Sequence, residues 1–294
     1  MTLPNFIIIG VAKAGTTSLY HYLDQHPQVF MCPVKETNFF ACEDARAGTW
    51  TGEGDPPHPA RFHVKTLEAY EGLFEGVTDE IAIGEASPLY FRSPTTARRI
   101  HECIPDVKLV ASLRNPADRA FSGFLMRVLF GHAAMNIRAG LRPESHHVTE
   151  GFYYDRLKRF FDIFPRHQVH IIIFEDFRGD PAKVVTNLFD FLGVDANFGP
   201  DTSIRHNPAA IPKSRLMNRI FYNSALIRKA KSVLPESVQG MVKRVRQMNL
   251  RTPPPFPADL RAKLLKLYRQ DILKLEGLLD RDLSMWLEGM EQYV

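Results

Sequence analysis

Residues 10–18 of this 294-residue chain carry the groups that an anion-binding loop needs. Gly10 and Gly15 flank Lys13, the apolar run NFIII (5–9) precedes the loop, and a helical pattern follows from Thr16. A glycine-rich turn between a buried strand and a helix directs several backbone N–H groups to one point, next to the positive end of the helix dipole. The segment therefore predicts a binding site for an anionic group.

The position of the lysine argues against a nucleoside triphosphate as the ligand. Gly10 and Gly15 have the separation of the Walker loop, in which Lys and then Ser or Thr follow the second glycine. Here Thr16 and Thr17 follow it, and Lys13 lies inside the loop. A phosphate-loop kinase or hydrolase, and a nucleotide-binding protein without turnover, remain as alternative hypotheses.

The composition is that of a soluble globular protein, with 45% hydrophobic and 24% charged residues. The net charge of +4 fits an anionic ligand but is too small to indicate a nucleic-acid partner. An apolar run begins within five residues of Met1 and no run reaches the roughly 18 residues of a spanning helix. We therefore expect a cytoplasmic protein without a transmembrane segment. The three cysteines and the histidines have spacings that predict no metal site.

Apolar runs alternate with helical patterns along the chain, which predicts an α/β fold with a central parallel sheet flanked by helices. The predicted strands are residues 5–9, 80–84, 107–113 and 169–174. The amphipathic stretch 260–279 predicts a C-terminal helix. We expect a single domain over 1–294, with a helical part from about 213 to 294 packed on the sheet. The irregular stretches 41–63, 131–150 and 195–213 are the expected acceptor loops.

Four blocks of the sequence resemble sulfotransferases that use 3′-phosphoadenosine 5′-phosphosulfate (PAPS), especially the heparan sulfate type and its bacterial relatives. They occur in the family's order over about residues 5–194. The blocks are GVAKAGTTSLYHYLDQHPQV (10–29), KETNFF (35–40), KLVASLRNPADRAFSGF (108–124) and IIIFEDFRGDPAKVVTNLFDFLGV (171–194).

The resemblance implies a role for each block in binding PAPS, with 3′-phosphoadenosine 5′-phosphate (PAP) as the product and no metal required. Lys13 would contact the oxygen that bridges phosphate and sulfate. Arg114 would pair with the 3′-phosphate in a bidentate manner, and Ser122 would add a hydroxyl to the same phosphate. The 5′-phosphate would be held by the backbone and hydroxyl groups of Ala14, Gly15, Thr16, Thr17 and Ser18.

The resemblance also implies which residue removes the proton from the acceptor. Soluble aryl and steroid sulfotransferases use a histidine between the two cofactor blocks, and the corresponding segment IAIGEASPLYF (81–91) has none. Heparan-type enzymes use the glutamate before the Phe-Phe pair, which is Glu36 here. Glu85, at the end of a predicted strand, is the second candidate. Ala86 departs from the heparan-type pattern, which has lysine there, so the acceptor can be a glycan, a lipid or a small molecule bearing a hydroxyl or amine.

Overall fold

The structure is a computed structural model, and it describes residues 2–41, 64–204, 209–214, 217, 244–245 and 247–289. A five-stranded sheet forms its centre. The strands are β1 (Phe6–Gly10), β2 (Val29–Met31), β3 (Ala82–Ala86), β4 (Lys108–Leu113) and β5 (Val169–Ile173). Their spatial order is β2-β3-β1-β4-β5, and every neighbouring pair is parallel. The predicted parallel α/β architecture is confirmed.

Helices cover both faces of this sheet. They are α1 (Thr16–Leu23), α2 (Leu67–Glu71), α3 (Thr96–Cys103), α4 (Pro116–Leu129), α5 (Ile137–Gly140), α6 (His146–Thr149), α7 (Tyr154–Phe161), α8 (Phe174–Gly179), α9 (Pro181–Leu192) and α10 (Ala258–Leu279). Two short strands, β6 (Ile211–Pro212) and β7 (Leu250–Arg251), form a separate antiparallel pair.

The central strand β1 shows how the sequence builds a core on each face. All five of its residues are buried, and successive side chains point to opposite faces. Ile7 and Ile9 pack into one core with residues of α4, α7 and α10. Phe6 and Ile8 pack into the other with residues of α1 and α9. A strand buried on both faces needs apolar residues throughout, which explains the unbroken run at 5–9.

The C-terminal helix α10 packs against α4 and α7. Leu264, Tyr268, Ile272 and Leu275 recur at helical spacing and are buried on this face. The predicted helix at 260–279 is thus confirmed, and it packs beside the helix that follows β4. The single domain over 1–294 stays a prediction.

The structure differs from the sequence-based expectation at the edge of the sheet. Strand β2 was not predicted, because a three-residue edge strand is too short for its periodicity to be recognised. Strand β3 is Ala82–Ala86 and not 80–84, because Glu85 and Ala86 pair with Ile7 and Ile8 of β1. The stretch 131–150 contains the one-turn helices α5 and α6. Most of the stretch 41–63, from residue 42 onward, lies outside the described residues.

Candidate active site

The loop between β1 and α1 turns through a left-handed glycine. Gly15 has a φ of 82° and is the N-terminal cap residue of α1. A Cβ atom here would lie 3.0 Å from the Phe177 ring and 3.2 Å from the Phe174 ring, so conformation and packing both require glycine. Gly15 itself has no side chain that could cap the helix, and no cap from another described residue is present. The N–H groups of the first helical turn are therefore available to an external anion.

Strand β4 anchors this loop from the neighbouring position in the sheet. The Ser112 hydroxyl donates a hydrogen bond of 2.6 Å to the carbonyl of Ala14, and the Val11 N–H donates to the Ser112 carbonyl at 2.9 Å. The Arg114 Nη1 donates to the carbonyl of Lys13 at 3.1 Å. The carbonyl oxygens of residues 13 and 14, the negative ends of their peptide dipoles, are therefore hydrogen-bonded to donors at the end of β4 and directly after it.

Lys13 is a partly buried cation without a counter-ion among the residues that the structure describes. Its backbone is left-handed, with a φ of 74°, and its Nζ lies 3.6 Å from the Sδ of Met126. Burial lowers the pKa of Lys13, and the charges of Arg114 and Lys35 lower it further, while the carboxylate of Glu36 raises it. A bound anion would supply the missing counter-charge.

Arg114 follows the last residue of β4 and lies beside the loop. Its guanidinium carbon is 4.7 Å from the centre of the Phe174 ring, and the Tyr153 hydroxyl donates to its backbone carbonyl at 2.9 Å. Burial lowers the pKa of Arg114, against the charges of Asp118 and Glu175. A guanidinium has five N–H donors, and the bond to Lys13 uses one of them. The guanidinium of Arg114 is thus held in place, and its remaining N–H groups could donate hydrogen bonds to a ligand.

Helix α4 begins directly after Arg114 and brings Ser122 to the same side. The Asn115 side chain accepts bonds from the N–H groups of Ala117 at 3.0 Å and Asp118 at 3.3 Å, and Pro116 occupies the first turn. Asn115 and Pro116 therefore start this helix, as a capping side chain and a residue that needs no backbone donor in the first turn. Ser122 is half-buried and lies one turn before Met126, the residue that contacts Lys13. Residues four apart share a helix face, so Ser122 lies on the side of the loop.

Glu36 lies at the surface beside this loop. Its φ is 62°, its side chain is 45% exposed, and its N–H donates to the carbonyl of Ala86 at 3.0 Å. Lys35 lies 3.5 Å from the carboxylate. The Glu36 charge raises the pKa of Lys13, so the two groups interact electrostatically without forming an ion pair. Glu36 is therefore an accessible carboxylate within electrostatic range of the candidate anion site.

Glu85 lies at the end of β3 and is completely buried. Four hydroxyl groups donate hydrogen bonds to its carboxylate: Thr37 at 2.7 Å, Tyr90 at 2.8 Å, Tyr70 at 2.9 Å and Ser87 at 3.0 Å. Burial raises the pKa of Glu85, and the four hydrogen bonds act in the opposite direction. This carboxylate is thus enclosed by hydroxyl groups of the protein, in contrast to that of Glu36.

Arg119, in helix α4, is buried and forms an ion pair in the interior of the protein. Arg119 and Arg92 bind the two oxygens of Glu150 at 3.0 and 2.9 Å. Their charges help to lower the pKa of Glu150 to about 2, although its burial opposes this. His146 lies 3.2 Å from the same carboxylate. Burial lowers the pKa of His147 to about 4, so this ring is neutral at pH 7.

The sheet thus brings together residues that are far apart in the sequence. Arg114 is bonded to the carbonyl of Lys13, and Glu36 interacts electrostatically with Lys13, whereas Glu85 lies in the interior. The sequence reasoning missed Ser112 and Phe174, which hold the loop and Arg114. A serine inside the apolar strand VKLVASL was a usable signal, because a polar side chain at a buried position needs a partner.

Two further structural observations concern metals and membranes. Within the described ranges, no group of three or more His, Cys, Asp or Glu side chains is arranged to hold a metal ion. None of the helices described combines the length and apolarity that crossing a bilayer requires. The cytoplasmic location stays a prediction.

Curated relatives match the chain over part of their length. A membrane-associated sulfotransferase of Dictyostelium discoideum, kil1, is 24% identical over 71% of this chain and 60% of its own. A mouse heparan sulfate glucosamine 3-O-sulfotransferase 6 is 30% identical over 65% of this chain and 52% of its own. The chain thus spans between about half and three-fifths of the length of these two relatives.

Solved structures match over nearly the whole chain. A sulfotransferase from Alicyclobacillus acidocaldarius is 33% identical, with a TM-score of 0.72, over 97% of this chain and 99% of that one. The sulfotransferase domain of the curacin biosynthetic pathway shares the fold, with 17% identity and a TM-score of 0.51 over 96% of this chain and all of that one. The model of the sulfotransferase family matches residues 4–198, two-thirds of the sequence. The chain therefore belongs to the sulfotransferase family.

Proposed function

We propose that this protein is an enzyme that transfers a sulfuryl group from PAPS to a hydroxyl or amine of an acceptor. The observation that carries the proposal is the partly buried Lys13 ammonium beside an uncapped helix N-terminus, with Arg114 bonded to its carbonyl. Membership of the sulfotransferase family supports the reaction class. The alternative of a phosphate-loop kinase or hydrolase has no such support.

The residues present fit the 5′-phosphosulfate of PAPS. The first turn of α1 offers uncapped N–H groups from Gly15 onward, and the hydroxyls of Thr17 and Ser18 are partly exposed next to them. A close anion would relieve the cost of burying the Lys13 charge. We therefore assign the 5′-phosphate to residues 14–18 and the bridging oxygen to Lys13.

The 3′-phosphate of PAPS is assigned to Arg114 and Ser122. The Phe174 ring and the bond to the Lys13 carbonyl hold the Arg114 guanidinium, and Tyr153 holds its backbone carbonyl. A fixed planar guanidinium suits bidentate contact with a phosphate. Ser122 follows on the face of α4 that meets the loop and offers a hydroxyl. Because Arg114 also holds the carbonyl of Lys13, the same side chain joins the two halves of the binding site.

PAPS supplies an activated sulfuryl group when it is bound. In the transfer, a bond forms between the acceptor oxygen or nitrogen and sulfur, and the bond between sulfur and the bridging oxygen breaks. The electron pair of the broken bond stays on that oxygen, where the Lys13 ammonium stabilises the developing negative charge. The proton of the acceptor must pass to a base in line with the breaking bond.

Glu36 is the group that we assign as this base. Its carboxylate is exposed to an incoming acceptor, and its charge is felt by Lys13. Glu85, the other candidate, is enclosed by four hydroxyl groups and has no exposed surface. The exposure of the two carboxylates therefore favours Glu36.

The proposed acceptor is a glycan, a lipid or a small molecule that bears a hydroxyl or amine. The names of the mouse relative and of several others specify heparan sulfate, which supports a glycan. Ala86 lies where heparan-type enzymes have a lysine, and this difference keeps lipids and uncharged small molecules in the proposal. A screen of hydroxyl and amine acceptors with labelled PAPS would identify the class.

Two experiments test the proposed reaction. Titration with PAP and with ATP, both without Mg²⁺, should show tight binding of PAP and weak binding of ATP. Replacing Glu36 by Gln should lower turnover by about 10²–10⁴-fold, the usual worth of a general base, with unchanged PAP affinity. The loss should be smaller for phenols than for sugar alcohols, because a phenol is already acidic. Preferential binding of ATP would contradict the proposed use of PAPS. A Glu36→Gln enzyme with normal turnover would contradict the assignment of Glu36 as the base and leave the sulfuryl transfer in place.

A further inference from the structure

Four hydroxyl groups surround the carboxylate of Glu85, and we name them the hydroxyl cluster: Thr37, Tyr70, Ser87 and Tyr90. All four residues are buried, and they come from four places: the segment after β2, helix α2, and two positions in the turn after β3. Thr37 and Ser87 bond one oxygen of Glu85, and Tyr70 and Tyr90 bond the other. An ionised carboxylate only accepts hydrogen bonds, so it can satisfy all four donors at once.

The hydroxyl cluster also holds the backbone that follows Glu36. The N–H of Asn38 donates to the Ser87 hydroxyl at 3.1 Å, and the N–H groups of residues 39 and 40 donate to the hydroxyls of Thr37 and Tyr90, both at 3.4 Å. Three hydroxyl groups therefore accept from this backbone and donate to Glu85. The direction of these bonds depends on Glu85. Each hydroxyl donates its hydrogen to the Glu85 carboxylate, which accepts without donating, and the hydroxyl oxygen then accepts from a backbone N–H.

The segment held in this way has an unfavourable backbone conformation. Glu36 has a φ of 62° and Asn38 a φ of 52°, both in the left-handed region, which Asn adopts readily and Glu rarely. The Asn38 side chain adds a bond of 3.0 Å to the Glu36 carbonyl. The cluster's bonds to the N–H groups of residues 38–40 therefore help to hold Glu36 in this uncommon conformation.

We infer that Glu85 is a positioning residue, which orients the hydroxyl cluster so that the cluster holds the backbone of Glu36 next to the end of β3, and that Glu85 takes no proton from the acceptor. The inference rests on the proposed function, in which Glu36 is the base. Burial of Glu85 separates its carboxylate from the acceptor. Its influence on turnover passes through the Thr37 and Ser87 hydroxyls to the residues that follow Glu36.

A double-mutant cycle tests whether the hydroxyl cluster acts through Glu36. Thr37→Val removes one hydroxyl at nearly constant volume, and Thr37→Ser keeps it. Thr37→Val, Thr37→Ser and Glu85→Gln are each made in the wild-type enzyme and in the Glu36→Gln variant. Thr96→Val is the matched control, because Thr96 is equally buried but its hydroxyl has no hydrogen-bond partner among the described residues. Turnover with labelled PAPS, PAP affinity and thermal unfolding are measured for each.

The expected loss of kcat for Thr37→Val is about 10–100-fold in the wild-type background, since a displacement of about 1 Å can cost 10²-fold. In Glu36→Gln the same change should cost less than about threefold, because the base it positions is already gone. PAP affinity should stay constant, Thr37→Ser should restore turnover, and Thr96→Val should be neutral. Glu85→Gln should follow the pattern of Thr37→Val.

Three outcomes would overturn the inference while leaving the proposed sulfuryl transfer in place. These are an equal loss for Thr37→Val in both backgrounds, no loss in either, and a Glu85→Gln defect that persists in full in Glu36→Gln. The last would show that Glu85 acts independently of Glu36. If Glu85→Gln fails to fold, the Thr37 pair still decides the question. Normal turnover of Glu36→Gln alone would instead remove the proposed base, and with it this inference.

Discussion

The indole N–H of Trp286 donates a hydrogen bond of 3.0 Å to one carboxylate oxygen of Glu175. The other oxygen of Glu175 accepts the N–H of Asn115 at 3.1 Å, and the Asn115 side chain donates to the Trp286 carbonyl at 2.9 Å. Asn115 directly follows Arg114, the residue assigned to the 3′-phosphate. Trp286, near the C-terminus, therefore helps to hold the backbone directly after Arg114.

Replacing Trp286 by Phe should destabilise the protein and weaken PAP binding. The change leaves one oxygen of a carboxylate without its donor, at a cost of about 1–3 kcal/mol in the free energy of unfolding. Urea unfolding and PAP titration measure the two effects, with Met285→Ala, at a more exposed neighbour, as the control. An unchanged PAP affinity would show that the Trp286–Glu175 contact does not reach the cofactor site.

Replacing Lys13 by Ala should lower turnover by about 10²–10³-fold, the usual effect of removing a group that stabilises transition-state charge. Stability should hardly change, because Lys13 forms no ion pair within the described chain and its burial is unfavourable to its charge. Turnover and thermal unfolding measure these effects, and Lys183→Ala, on the exposed start of α9, is the control. Turnover within a few-fold of wild type would refute the assignment of Lys13.

Replacing Arg114 by Ala should weaken PAP binding by about 1.5–3 kcal/mol, the worth of a hydrogen bond to a charged group. Adenosine 5′-phosphate, which lacks the 3′-phosphate, provides a control within the same protein. Its affinity should change little if Arg114 binds the 3′-phosphate. Equal losses for both nucleotides would indicate that Arg114 acts on the loop through the Lys13 carbonyl instead.

Binding of PAPS or PAP should be coupled to proton uptake at alkaline pH. Burial lowers the pKa of Lys13 below its usual 10.5, so the free protein loses this proton in the window between the lowered pKa and 10.5. A bound anion raises the pKa again, and affinity should therefore fall as the pH rises through this window. The free energy of unfolding of the free protein should change in the opposite direction to the affinity. The unfolded chain binds more protons in this window, so Lys13 makes the free energy of unfolding rise with pH.

Calorimetric titration with PAP in buffers of different ionisation enthalpy measures the proton uptake. The uptake should be present in the wild-type protein and absent in Lys13→Ala, which has no group to protonate at this position. A dependence on buffer that is the same in both proteins would assign the proton to another residue.

The loop between β1 and α1 and the start of α4 could be predicted from the sequence itself, for a local reason. Gly15 must adopt a left-handed conformation, the residues before it must be apolar to lie inside a sheet, and Asn115 and Pro116 must start a helix. Each of these features depends on near neighbours, so it can be read from types and spacing. Strand β2 could not be read in this way, because three residues show no periodicity and it exists only through pairing with β3.

The environment of each candidate acid was decided only by the tertiary structure. In the sequence Glu36 and Glu85 are the first and second candidate bases, and no local pattern shows how exposed either carboxylate is. Folding leaves Glu36 45% exposed and encloses Glu85 with hydroxyls that come from up to 48 residues away. Likewise, the bond between Arg114 and the Lys13 carbonyl spans 101 residues. Such contacts depend on the order of the strands, which brings distant segments to one edge of the sheet, and no local pattern encodes that order.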